Sequence, residues 1–231
     1  MSNSARRPRP AAIDRPQVRR PRIRAGADWP FEQALQRQGW SPLAGADEAG
    51  RGAAAGPLVA AAVAMHDVRH AWTKGIRDSK LLTAERRVEL HQLIMRRAAA
   101  VAVVVVPAKE VDELGLHRAN VEALRRAASR LELRPGYVLT DGFGVPGLPA
   151  PGLAVQKGDR VCVTIAAASI VAKVTRDALM VAMADDWPGY GFEVHKGYLT
   201  ADHRQAMADL GPCPQHRRCF EPVRTLLNPQ S

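Results

Sequence analysis

Acidic side chains recur where short apolar runs stop. Asp47 and Glu48 end the run 43–47, and Asp141 ends the run 137–141. Each run has strand character, and in an open α/β sheet the functional groups gather at strand ends. Carboxylates brought together there repel one another, and their pKa values rise unless a cation lies between them. All their donors are hard oxygens, which suit Mg²⁺ or Mn²⁺. A single Asp at a strand end is explained by turn chemistry, since its side chain bonds its own backbone. The set of three is better explained by a metal.

A second group lies on one long apolar segment, about 164–184. Ser169, Lys173, Arg176 and Asp177 fall at i, i+4, i+7 and i+8, one stripe of a helix whose remaining circumference is apolar. Charges on such a helix need partners or a ligand. Two explanations stand side by side: an internal Lys173–Asp177 ion pair at i, i+4, or a stripe facing a groove, with Asp177 near metal and the cations near phosphate. Gly50, Arg51 and Gly52 follow directly on the acidic pair. Glycines allow close backbone approach, and successive N–H groups can cradle an anion; the same pattern also makes a plain turn. His195, Lys196, Gly197 and Tyr198 form a loop able to offer an aromatic ring to a sugar or base, or to pack that ring on the body. No histidine pair has tight metal spacing.

These groups need a scaffold. Strands are expected at 43–47, 57–65, 101–106, 136–141 and 153–156, with 101–106 read as buried because its residues are β-branched. Between and after them come helices: one capped by Thr83, one through Val121, Leu124, Ala128 and Leu131, the long one, and one capped by Thr200 and ended by Gly211. The segment 189–197 reads as loop. Alternating strands and helices make this an α/β sheet protein.

The chain has 231 residues and a net charge of +10. Residues 1–26 hold eight arginines against Asp14, so most of that charge sits in an Arg/Pro-rich tail expected to be disordered, and residues 27–231 form one folded domain. A basic tail on a mildly basic body suits a polyanion, or serves as a solvated arm that aids solubility. Three cysteines without a C-x-x-C pattern exclude a disulfide framework and a zinc site. No signal peptide and no membrane span is read, so a cytoplasmic protein is expected.

Taken in order, several stretches resemble the type 2 ribonucleases H, specifically the bacterial ribonuclease HII family: 44–52 (AGADEAGRG), 55–63 (AGPLVAAAV), 78–82 (DSKLL), 137–142 (YVLTDG), 156–159 (QKGD), 165–177 (IAAASIVAKVTRD), 187–192 (WPGYGF), 195–203 (HKGYLTADH) and 211–220 (GPCPQHRRCF). One short motif would carry little, but this number in family order is specific. Phe143 after Gly142, Leu81 after Lys80, and Cys219 depart from the family pattern.

The resemblance implies a ribonuclease H-like fold: a five-stranded mixed sheet flanked by helices, with a helical C-terminal part. It implies Asp47, Glu48 and Asp141 as ligands of Mg²⁺ or Mn²⁺, with Asp177 as the fourth carboxylate, and leaves the role of Asp159 open. It assigns recognition of the 2′-hydroxyl to Gly50, Arg51, Gly52 and Tyr198, and places Lys80, Ser169, Lys173 and Arg176 near the substrate backbone. The implied partners are RNA/DNA hybrids and duplex DNA containing ribonucleotides, cut by a monomer 5′ of the ribonucleotide by a two-metal mechanism. Two other readings remain: another superfamily nuclease acting on DNA, and a hybrid-binding protein without catalysis.

Overall fold

A computed structural model describes residues 29–228. The disorder expected for residues 1–26 lies outside them. Five strands form one mixed sheet: β1 (Leu43–Ala49), β2 (Leu58–Met65), β3 (Ala100–Val106), β4 (Tyr137–Asp141) and β5 (Gly152–Val155), in the order β3-β2-β1-β4-β5. The first three are antiparallel neighbours; β1–β4 and β4–β5 are parallel. The helices are α1 (Pro30–Arg37), α2 (Ala84–Arg97), α3 (Ala108–Leu114), α4 (Leu116–Ser129), α5 (Val163–Asp186), α6 (Phe192–His195), α7 (Ala201–Leu210) and α8 (Glu221–Leu227).

Strand alternation divides the core into two layers. Leu43, Val59, Ala61, Val63 and Leu139 pack with the first turns of α5 and with α2, whereas Ala44, Ala46, Ala60, Ala62 and Val138 pack with α4. Helix α5 comes very close to β1 at Gly45. A Cβ there would lie 2.2 Å from the backbone of Thr164 and Ile165, so only glycine permits this approach. The N-terminus of α5 is held by a residue from another element. The buried carboxylate of Glu32 in α1 accepts from the N–H groups of Val163 (2.6 Å) and Thr164 (2.9 Å) and from the Thr164 hydroxyl. Free N–H groups at a helix start are met by such an acceptor.

Thr83 and Thr200 cap α2 and α7 as expected, accepting from the N–H groups of Arg86 and His203. Three expectations need correction. Strand β3 is the edge of the sheet, pairing only with β2, and Val105 is 45% exposed; a β-branched run does not distinguish an edge strand from a central one. The stretch 189–197 contains α6. Strand β1 continues to Ala49, so Asp47 and Glu48 lie inside a paired strand and point to opposite faces. Among the described residues no helix is long and apolar enough to cross a membrane.

Candidate active site

The parallel register of β1 and β4 brings the first two carboxylates together. Ala46 pairs with Thr140, so the next residues along, Asp47 and Asp141, stand side by side on neighbouring strands about 4.8 Å apart. Both belong to the α5 face. Asp47 is buried beside Ser169 of α5, whose hydroxyl also lies 3.0 Å from that of Ser79. Asp141 accepts from the Gly158 N–H at 2.6 Å. Glu48 turns to the opposite face, toward Asn120 of α4.

Asp159 completes the group. It follows β5 in a 3₁₀ turn, is buried, and receives Lys80 at 3.5 Å. Its charge acts on Asp141, as Asp141 acts on Asp47 and Glu48. Burial raises Asp47 well above the ordinary carboxylate range, with Glu48 and Asp141 adding to the rise. Burial and then Asp141 push Glu48 up to about 7, against the opposing pull of Arg51. Asp141 is raised by burial too. Burial would lower Lys80, but Asp159, Asp78 and Asp47 together outweigh it and raise this amine. Asp78 is itself anchored, accepting from the Lys80 N–H (3.0 Å) and pairing with Arg160 (3.2 Å).

This cluster of mutually repelling, desolvated acids fits a divalent cation. Oε2 of Glu48 is buried without a hydrogen-bond partner, as are both amide atoms of the fully buried Asn120 beside it. Among the described residues no three acidic, His or Cys side chains stand together as a ready-made metal-holding group. Mg²⁺ does not require one: it keeps several waters and is held by one or two carboxylates plus substrate phosphate. The spread is also built in, since adjacent strand residues face opposite ways.

The stripe on α5 divides into separate environments. Ser169 joins the carboxylates. Lys173 and Asp177 pair with each other at 2.7 Å, each partly exposed. Asp177 lies two helical turns beyond Ser169, about 12 Å along the axis, and so does not sit with Asp47 and Asp141 as expected of a fourth carboxylate. Arg176 also departs from expectation. It is fully buried, and its guanidinium donates to the carbonyls of Pro57 (2.9 Å), Lys196 (2.9 Å) and Ala55 (3.1 Å). It faces backbone, not substrate phosphate, because two loops close over it.

Those loops carry the remaining candidates. Gly50 has φ +81, and a Cβ there would lie 1.8 Å from Nε of Arg176. Arg51 stacks over Phe143, 4.9 Å from the ring centroid, so the departure from the family pattern at Phe143 gives Arg51 a platform. Gly52 has open space around it. A second buried arginine, Arg217, donates to the carbonyls of Gly56 (3.0 Å) and Arg51 (3.1 Å). Gly197 accepts from the N–H groups of Ala54 and Ala55. The segments 50–57 and 196–198 are therefore one unit, and the half-exposed ring of Tyr198 lies 5.6 Å from the Arg176 guanidinium. Sequence reasoning missed Asn120 and Arg217. Asn120 is a polar residue on the apolar face of α4, a visible signal; Arg217 sits in a basic cluster that reads as surface.

Comparison with known proteins places the chain in a family. The family model for ribonuclease HII matches residues 44–223. The ribonuclease HII of Salinispora arenicola (strain CNS-205) is 55% identical over 203 residues, covering 88% of this chain and 76% of that protein. The solved ribonuclease H2 of Pyrococcus horikoshii superposes with TM-score 0.68 at 28% identity, covering 80% of this chain and 96% of that one. The Bst ribonuclease HIII, solved in complex with Mn²⁺, gives TM-score 0.61 at 20% identity over 80% of this chain and 69% of that chain, a likeness of fold alone. The five-stranded mixed sheet is thus the ribonuclease H-like fold, and the chain belongs to the ribonuclease HII family of ribonuclease H hydrolases.

Proposed function

We propose that this endonuclease hydrolyses the RNA strand of RNA/DNA hybrids and nicks duplex DNA at single ribonucleotides, 5′ of the ribonucleotide, leaving 5′-phosphate and 3′-hydroxyl. The observation that carries this reading is the nearness of Asp47 and Asp141, one position beyond the Ala46–Thr140 pair of β1 and β4, with Glu48 and Asp159 adjoining and the 50–57/196–198 unit beside them. In this reading Asp47, Glu48, Asp141 and Asp159 hold Mg²⁺ or Mn²⁺, and Asp159 replaces Asp177 as fourth carboxylate. Cations held there would supply a water of lowered pKa and charge stabilisation for the leaving 3′ oxygen.

The chain's own residues do the rest. Lys80, held cationic by Asp159 and Asp78, meets the scissile phosphate's charge. Ser169 holds Asp47. The backbone of Gly50, Arg51 and Gly52 approaches the ribose closely, and Tyr198 lies against the sugar, where the 2′-hydroxyl separates RNA from DNA. Lys173 lies on the exposed side, in reach of flanking phosphate once it exchanges Asp177 for it. The chain acts as a monomer. A duplex with one ribonucleotide, an all-RNA/DNA hybrid and an all-DNA duplex form the test: cleavage of the first two alone is expected, cleavage of the third would point to a DNA nuclease, and tight binding without cleavage to a non-catalytic binder.

A further inference from the structure

Behind the loop that carries Tyr198 lie three histidines from three separate segments. His195 ends α6, His203 lies in the first turn of α7, and His216 follows α7 in the C-terminal loop. The rings of His195 and His203 stack at 4.2 Å and 17°, and Phe192 and Tyr190 enclose the group. His203 and His216 are buried.

Their hydrogen bonds have a direction that can be worked out from either end. Nδ1 of His203 lies 3.0 Å from the carbonyl oxygen of Tyr198. A carbonyl only accepts, so Nδ1 must carry the proton. In neutral His203, Nε2 is then an acceptor, and its partner at 3.0 Å is Nε2 of His216, which must donate. That leaves Nδ1 of His216 as an acceptor. From the other end, the Cys213 N–H, which can only donate, points at this same Nδ1 at 2.9 Å, a shorter contact than the 3.3 Å to the Cys213 carbonyl. Both ends require the same pair of tautomers. His195 is fixed in the same way: Nδ1 accepts from the Gly197 N–H at 3.1 Å, so Nε2 donates to the Tyr190 carbonyl at 2.7 Å.

We propose that His203 and His216 are positioning residues for Tyr198, forming a directed chain from the Cys213 N–H through both imidazoles to the Tyr198 carbonyl, with His195 holding the adjoining Gly197. The inference rests on the reading of Tyr198 as the sugar contact. The chain needs neutral rings. Burial lowers His203, and burial together with His203 takes His216 down to about 4. Only backbone groups terminate the chain, so it moves no proton to substrate; its effect is to fix one carbonyl and, through it, the aromatic ring. Gly197 adds the second hold, accepting from the N–H groups of Ala54 and Ala55 and so tying the ring to the glycine loop.

Two measurements test it. In ¹⁵N-labelled full-length protein at neutral pH, two-bond imidazole correlations should show His203 as the Nδ1–H tautomer and His216 and His195 as Nε2–H tautomers. An Nε2–H or cationic His203 would overturn the chain. The second readout is the ratio of cleavage at a lone ribonucleotide to cleavage within an all-RNA strand. His203→Asn keeps an amide where Nδ1 was, so it retains the bond to the Tyr198 carbonyl while losing the link to His216, and should lower this ratio by less than loss of that bond does. His203→Gln keeps contact only with His216 and should lower it by about threefold to tenfold, the worth of one hydrogen bond. Equal ratios in the two variants would assign His203 to packing alone. Tyr198→Ala separates the layers of the argument: if its ratio changes and that of His203→Gln does not, the chain fails; if its own ratio is unchanged, the sugar reading fails and takes the purpose of the chain with it.

Discussion

Asp159 and Asp177 are both acids within reach of a lysine, yet their surroundings differ in kind. Asp159 is buried, and its charge reaches Asp141. Asp177 is partly exposed and neutralised within its own helix by Lys173. A salt-bridged surface pair of that sort contributes little, whereas removing a ligand forfeits several kcal/mol of transition-state stabilisation. Asp47→Asn, Asp141→Asn and Asp159→Asn should each lower turnover by about a hundredfold or more while hybrid binding, measured with Ca²⁺ in place of Mg²⁺, persists. Asp177→Asn should cost less than about tenfold. A hundredfold loss in Asp177→Asn with an active Asp159→Asn would make Asp177 the fourth carboxylate, as the resemblance implies. The raised acids also couple metal to pH. Folded Glu48 keeps its proton to about 7, against an ordinary value of 4.5, so the folded state binds more protons across that window. Its stabilisation is complete below 4.5 and lost as pH rises through 7. Glu32, raised by burial to about 7, adds to the same fall. The Mg²⁺-induced rise in thermal midpoint should therefore grow with pH across this window and vanish in an Asp47→Asn/Glu48→Gln double variant; a pH-independent rise would place the metal elsewhere.

Helix α5 and strand β1 set the spacing of the site at Gly45, where their backbones meet. Gly45→Ala forces a methyl into the backbone of Thr164 and Ile165 and should destabilise the fold by about 3 kcal/mol. Denaturant midpoints check this, and an unchanged midpoint would mean that α5 has room to retreat. Much at this scale is legible in the residues. The runs before Asp47 and Asp141 read as strands, the caps Thr83 and Thr200 read correctly, and α5 was visible from its apolar length. What sequence does not contain is who lies opposite whom. The stripe Ser169, Lys173, Arg176, Asp177 is a fact of helical period, but the burial of Arg176 depends on the carbonyls of Ala55, Pro57 and Lys196, which come from distant segments. Asp159 sits in a 3₁₀ turn with no periodicity to mark a face. The register that sets Asp47 beside Asp141 is a long-range parallel pairing, which neither strand specifies alone.

Across the whole molecule, charge is divided unevenly between the Arg-rich segment 1–26 and the folded body. The position of the cut is assigned to the body, and the N-terminal arginines are expected to add sequence-independent phosphate contacts. If about three engage at once, deleting residues 1–26 should flatten the slope of log affinity against log salt by about 2–3 units and leave the cut position unchanged. Equal slopes would mean that the segment does not touch substrate; a moved cut would mean that it helps set register. The central claim is that one surface both holds the metal and reads the ribose, and it is tested most directly by the products formed on duplex DNA carrying a single ribonucleotide in the presence of Mg²⁺. The account predicts one nick, 5′ of the ribonucleotide, with a 3′-hydroxyl on one side and a 5′-phosphate on the other, and no nick in the same duplex made wholly of DNA. Cleavage of both duplexes, or a nick elsewhere on the strand, would contradict it.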